Sequence, residues 1–201
     1  ATASDAEQAG RLCKADLGTD MVRELTELQG TMGGIYAREE GQSESVWKAI
    51  YFHYLPIGVE AAAPPSRTEL GAAAVTWAAV SLADKLDSMV GMFTAGERPT
   101  GSRDPLGLRR QAQGVVRILA DLPEMTGLQT RLSLGALLVR AAEPFGGYGE
   151  SSGPLLSFIS DRLRYLLDQR GYDVRNVRAV LHGGIEAVSP LEARLKLEIV
   201  N

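Results

Sequence analysis

The sequence contains one cysteine, Cys13, and two histidines, His53 and His182. A lone thiol cannot close an internal disulfide or supply a thiolate zinc site, so the reducing interior of the cell, and specifically the cytoplasm, is the expected location. Long apolar runs are also missing. The longest, residues 71–80, is alanine-rich and soon interrupted by Asp84, Lys85 and Asp87, which describes a buried helix and leaves no membrane span. No polar low-complexity tract signals disorder, and no cleavable signal pattern opens the chain. Runs of alternating β-branched residues long enough for a sheet are absent, so the expected fold is all-α. The paired glycines Gly33-Gly34 and Gly146-Gly147 fit neither a phosphate-binding loop nor a dinucleotide fingerprint. An initiator methionine is lacking too, and residues 192–201 read as a helix. Both ends are therefore expected to be fragment boundaries.

What is present suits a soluble globular protein. The 201 residues are 45% hydrophobic and 23% charged, enough for one large domain or one and a half. The net charge of −4 hides a segregation. Between Asp5 and Glu44 acidic residues dominate. Between Arg98 and Arg117 the balance reverses, with Arg98, Arg103, Arg109, Arg110 and Arg117 facing only Asp104. A local basic site on an acidic body follows.

Helical periodicity runs through most of the chain. Met21, Leu25, Leu28 and Met32 recur on one face. The stretch 43–55 carries Val46, Trp47, Ile50, Tyr51 and Tyr54 on one stripe and stops at Pro56. Ser66 and Glu69 form a capping box opening a long helix to about Ala95, with Gly96 as its left-handed end. Asp104-Pro105 supplies an N-cap and first-turn proline for a helix over 106–122, with Val115, Val116, Ile118 and Leu119 inward. Another helix spans 129–142. The Gly/Ser/Pro-rich stretch 144–154 is the expected domain boundary, dividing residues 1–145 from 146–201. Helices over 155–170, closed by Gly171, and 174–181 follow, and Ser189 to Glu192 begins the last one.

Candidate chemistry is sparse. His53 lies among aromatics and His182 at a helix end, which reads as a packed or capping histidine in each case. Cys13 reads as a small apolar filler. Asp84 and Asp87, one turn apart, could share a metal or form a solvated stripe beside Lys85, and the stripe is the expectation. The loop 99–105 and the following Arg109-Arg110 are the most suggestive segment. Guanidinium groups beside free first-turn amides would make a phosphate site, whereas an Arg103–Asp salt bridge would merely lock the loop.

Several segments taken in order resemble one family. Lys14-Ala15-Asp16-Leu17, Thr19 to Leu25 and Glu27 to Ala37 are similar to the opening of the helical domain in glycyl-tRNA synthetase β subunits. Tyr54-Leu55-Pro56, Ser81 to Asp87, the loop 101–105 with Arg109-Arg110, Asp161-Arg162-Leu163 and Val180-Leu181 continue the series. The resemblance covers roughly residues 11–185. It implies an HD-like helical domain over 1–145 and a helical connecting segment over 146–201, leading toward a C-terminal anticodon-binding part.

Active domains of the HD type hold metal through adjacent His-Asp, a further His and a later Asp. Here His53 precedes Tyr54 and His182 precedes Gly183, so only Asp84 matches, as a vestige. No metal and no catalytic residue are therefore expected. The resemblance implies a part of an α2β2 ligase that joins glycine to tRNA(Gly) using ATP. Its α subunit would carry the chemistry, this fragment would need no cofactor of its own, and no membrane would be involved. Arg98, Arg103, Arg109, Arg110 and Arg117 are the candidate tRNA contacts. A metal-dependent phosphohydrolase and a structural spacer are the competing readings.

Overall fold

The computed structural model describes residues 2–57, 64–147, 149, 152–184 and 189–200. Among these the chain is all-α: twelve α-helices joined by short 3-10 turns, with no strand and one isolated antiparallel bridge between Thr100 and Arg103. No described helix is long and apolar enough to cross a membrane.

Two compact units emerge. The first takes its described residues from 1–55, 63–84 and 124–128, the second from 56–62, 85–123 and 129–201. In the first unit lie α1 (Ala3–Leu12), α2 (Asp20–Glu24), α3 (Thr31–Glu39), α4 (Glu44–Phe52) and α5 (Arg67–Leu70). It also holds the N-terminal part of α6 (Ala74–Thr94). α4 packs against both α1 and α3, burying Ala9, Ala37, Val46, Ala49 and Ile50. Ser43 caps α4, its hydroxyl accepting from the Val46 amide. The far end of α4 leaves carbonyls that no further turn can satisfy. Side chains of α6 serve them: Trp77 Nε1 donates to Phe52 O at 3.0 Å and Ser81 Oγ to Leu55 O at 2.9 Å.

The second unit contains the rest of α6, α7 (Leu108–Ala120), α9 (Leu134–Ala142), α10 (Ser152–Gln169), α11 (Val174–Val180) and α12 (Pro190–Val200). The short α8 (Leu122–Thr126) lies where the two units divide the chain. α7 packs against α10 and α12, and the expected inward residues Val115, Val116, Ile118 and Leu119 are all buried. At its C-terminal end Asp121 accepts from three guanidinium nitrogens. Arg170 reaches it at 2.8 and 2.5 Å, and Arg194 of α12 at 3.0 Å. One carboxylate thereby ties the ends of α7 and α10 to the middle of α12.

Two expected helices are interrupted. The Ser66–Glu69 capping box is formed, but Gly71 adopts φ +54° and separates α5 from α6. The face expected from Met21 to Met32 is also broken. α2 ends at Glu24, and Gly30 at φ +78° precedes α3. The cause is Asp16, 1% exposed, whose Oδ2 accepts the amides of Gly30 at 2.6 Å and Gly33 at 3.1 Å. A buried carboxylate on those donors fixes a helix start in mid-run. Met21 and Leu25 remain largely exposed as a result.

Gly33-Gly34 has a packing role instead of a ligand-binding one. A Cβ on Gly34 would overlap the backbone of Tyr51 in α4, so the α3–α4 approach requires glycine there. Gly34→Ala is expected to cost about 2–3 kcal/mol of unfolding free energy, since backbone must shift to admit the methyl group. Gly10, in α1 with nothing within 4 Å of a built Cβ, is the control. Gly10→Ala should stabilise by about 0.5–1 kcal/mol, and urea denaturation of both variants checks the contrast.

Candidate functional site

Two polar constellations stand out, one in each unit. In the first, Lys14 follows α1 and sends its ammonium into a pocket lined by the end of α4 and by α6. The ammonium nitrogen is 2.9 Å from Asp84 Oδ1 and 3.0 Å from Oδ2. It also lies 3.0 Å from His53 Nε2 and 3.8 Å from the centroid of the Tyr54 ring. Burial alone would depress this ammonium, but the Asp84 carboxylate and the Tyr54 hydroxyl hold its pKa above the usual lysine value. Lys14 is thus charged, and His53 Nε2 must accept from it. The proton of the neutral ring is then on Nδ1, donated to Ile50 O at 2.6 Å.

This corrects the sequence reading of Asp84. A solvated stripe of Asp84 and Asp87 beside Lys85 was the expectation. The Asp84 side chain is instead only 16% exposed and bound to Lys14, Lys85 is buried, and Asp87 alone faces solvent. The helix places the two carboxylates a turn apart, and only Asp84 reaches Lys14.

The residues do not fit a metal centre of the HD type. His53 Nε2 and the Asp84 carboxylate both engage an internal cation. Among the described residues no three His, Cys, Asp or Glu side chains are grouped to hold a metal ion. Nearby Cys13 is buried, and burial raises its thiol pKa, with Asp84 and Asp16 adding to the effect against Lys14. The thiol therefore stays protonated and acts as filler. His182 is exposed beyond the end of α11.

The second constellation is the arginine segment. Thr100 and Arg103 exchange both backbone hydrogen bonds, at 2.9 and 2.8 Å, closing a tight loop with Gly101 at φ +50°. Arg109 Nη2 donates to Gly101 O at 3.0 Å, bracing that loop from the first turn of α7. Asp104 does not pair with Arg103. Its two carboxylate oxygens accept the Arg109 amide, each at 3.3 Å, so that first-turn amide is taken, contrary to a site built on free amides. Arg103 pairs with Glu97 at 3.2 Å, both side chains largely exposed, which contributes little to stability. Arg110 is exposed and lies over Gly107. Between them Leu106 holds φ +54°, a strained conformation for a branched side chain, and is 68% exposed.

The five arginines separate into different roles. Arg103 and Arg110 present guanidinium groups to solvent around the loop, and Arg109 serves mainly to hold it. Arg98 is exposed and stacks toward Phe93, 6.0 Å from its ring centroid. Arg117 turns toward Asp121 and Arg170. Burial lowers its pKa, Asp121 opposes that, and Arg170 adds to it. It belongs to the helix-tying network around Asp121 rather than to the loop. Sequence reasoning missed Lys14 as the central group of the first unit, because its partners lie 39 and 70 residues away.

Replacing Lys14 by the isosteric, uncharged methionine leaves Asp84 and His53 without their shared donor. Lys14→Met is expected to lose about 1–3 kcal/mol, between the exposed-pair and buried-pair ranges because the lysine is partly exposed. A raised folded-state pKa means that the Lys14 contribution is complete below the ordinary lysine value of 10.5 and fades as pH climbs above it. Thermal unfolding of both proteins from pH 8 upward should therefore converge at the alkaline end, and a constant gap would contradict the assignment.

Comparison with known proteins places these features. The family model described as glycyl-tRNA synthetase beta subunit matches residues 1–182. A glycine–tRNA ligase beta subunit of Dechloromonas aromatica is 41% identical over 198 residues, covering 97% of this chain and 26% of that protein. The like-named protein of Aromatoleum aromaticum is 44% identical over 180 residues, covering 88% of this chain and 24% of the relative. That of Solidesulfovibrio magneticus is 39% identical over 200 residues, covering 95% and 26%. The chain thus spans about a quarter of the length of the relatives it matches. With the match running through the Lys14 pocket, the arginine loop and α10, the chain belongs to the glycyl-tRNA synthetase beta subunit family.

Proposed function

We propose that this chain is a tRNA-holding and assembly module of a glycine–tRNA ligase, working beside an α subunit in an α2β2 enzyme of the cytoplasm. ATP-dependent glycylation of tRNA(Gly) takes place on the α subunit, and this module contributes no reacting group. The observation that carries the reading is the arginine loop. Arg103 and Arg110 are exposed on a segment braced by the Arg109–Gly101 and Asp104–Arg109 hydrogen bonds. A rigid mount reduces the ordering cost when a phosphate backbone docks on cationic side chains. The family membership favours tRNA as the polyanion, and the match with beta subunits favours a second subunit as partner.

A structural spacer is the alternative, supported by the helix-tying role of Arg117 and the self-contained Lys14 pocket. Charge reversal of the two exposed loop residues separates the readings. Arg103→Glu with Arg110→Glu is expected to weaken binding of tRNA(Gly) at least tenfold. It should also reduce the dependence of log affinity on log salt by about two phosphate contacts, with the urea midpoint unchanged. Anisotropy titration at two salt concentrations measures both. Unaltered affinity and slope would assign the loop to the spacer.

A further inference from the structure

The hairpin of α10 and α11 contains a feature that the arginine loop does not use. The two helices are joined by a short turn through Gly171 at φ +81°. Between them is a groove of about 280 Å³ lined by Arg164, Tyr165, Asp168, Val174, Val177 and Arg178. Val177 is buried and forms its floor, while Tyr165 is 46% and Val174 49% exposed. Val174, Val177 and Arg178 stand three and four residues apart, on one face of α11. An aromatic ring and a valine left this open on adjoining helices form an apolar slot among the described residues.

The charge around the slot is weakly cationic. Residues 161–178 contain five arginines against three aspartates, and with Arg170 bound to Asp121 the excess is one, although the whole chain is acidic. Two of those aspartates are already engaged. Asp161 pairs with Arg164 at 3.0 Å, and Asp173 caps α11 by accepting the Arg175 amide at 2.7 Å. Arg164, Arg175 and Arg178 are all exposed. Among the described residues Asp168 is the one carboxylate that lines the slot, and it can accept a hydrogen bond from a ligand hydroxyl or amino group.

We propose that this groove takes one unpaired nucleobase of an RNA strand, stacked on the Tyr165 ring, with the flanking phosphates on Arg164 and Arg178 and a ribose hydroxyl or base amino group on Asp168. The volume lies just below the usual range for drug-sized ligands, so it suits one ring system. A flat aromatic wall beside guanidinium groups is the combination that binds single-stranded nucleic acid without reading sequence. The accepting carboxylate suits RNA, which carries a 2′-hydroxyl that DNA lacks. The assignment takes from the functional reading only that the ligand is RNA, and it uses none of the loop arginines. An acidic protein segment is the rival occupant, but a slot this short offers an amphipathic helix one anchor instead of a row.

The test is anisotropy titration of the complete protein with a labelled single-stranded oligoribonucleotide of about eight nucleotides, beside a duplex of the same composition. Tyr165→Ala is expected to weaken single-strand binding about five- to fifty-fold, and Tyr165→Phe, which keeps the ring, by less than about twofold. Duplex binding should be unchanged in both. Because Tyr165 is largely exposed, its truncation should leave the unfolding midpoint in place. Arg178→Glu should lower single-strand affinity and reduce the salt slope by about one phosphate contact.

Equal affinity of Tyr165→Ala and the unaltered protein for the single strand would overturn the assignment, as would equal losses on single strand and duplex. Tyr165-dependent binding of a glutamate-rich amphipathic peptide, with RNA binding untouched, would overturn it in favour of an acidic partner. Failure of the Arg103/Arg110 reversal to affect tRNA binding would count against the loop alone, since the Tyr165 comparison does not involve it.

Discussion

An ammonium group inserted among a carboxylate, an imidazole and a phenol ring sets the internal order of the first unit. Lys14 contacts Asp84 of α6, His53 at the end of α4 and the ring of Tyr54, so one side chain relates three separate stretches of sequence. Each of its neighbours would be costly to bury alone. Asp84 would lose its cation and His53 Nε2 this donor, and burial would lower the pKa of the Lys14 ammonium. Together they satisfy one another, and the charge state of the lysine fixes the tautomer of the histidine. The nearby Asp16 carboxylate works the same way on backbone amides, starting α3 where the hydrophobic pattern alone would have continued a helix.

The second unit relies on a similar device with the signs exchanged. There the shared group is an anion: Asp121 gathers Arg170 and Arg194, with Arg117 close by. In both units an interior polar hub specifies how the ends of helices meet, while the apolar faces provide most of the burial. A hub of this kind contributes less to total stability than to the choice among similar packings, because a greasy helix face accepts several registers and a charged fork accepts few. The arginines that look alike in the sequence between 98 and 117 are divided by this logic. One is drawn into a hub, one braces a loop, one lies exposed beside the Phe93 ring, and two face solvent around the loop.

Local signals in the sequence were reliable where the physics is local. The serine cap at 66, the left-handed ends at Gly96 and Gly171, and the inward face of α7 depend on neighbours within a few residues, and the structure has them. The interruptions at Gly30 and Gly71 were not legible, because a glycine within a helical pattern is silent until something distant requires a positive φ. For Gly30 that requirement comes from a carboxylate 14 residues earlier. The Lys14 pocket was illegible for the same reason. Asp84 was identifiable as a vestige through its resemblance to a metal-binding pattern, but nothing in its own helix announces that a lysine 70 residues away neutralises it. The Gly33-Gly34 pair was visible as a motif and opaque in purpose until Tyr51 was placed against it.

The sparing use of lysine has a practical corollary for chemistry performed on this protein. The chain has four lysines, at 14, 48, 85 and 196, against seventeen arginines. Lys14 is held protonated in its pocket, Lys85 is 4% exposed, and the Lys48 side chain is 17% exposed and paired with Glu44. Lys196, with about half of its side chain in solvent, is the one amine side chain that a reagent can reach readily. Among the lysine side chains, amine-directed coupling would thus favour α12, and neither the arginine loop nor the lining of the Tyr165 groove holds a lysine. A dye, tether or surface attached there leaves every arginine of the loop and every residue lining the groove chemically unaltered.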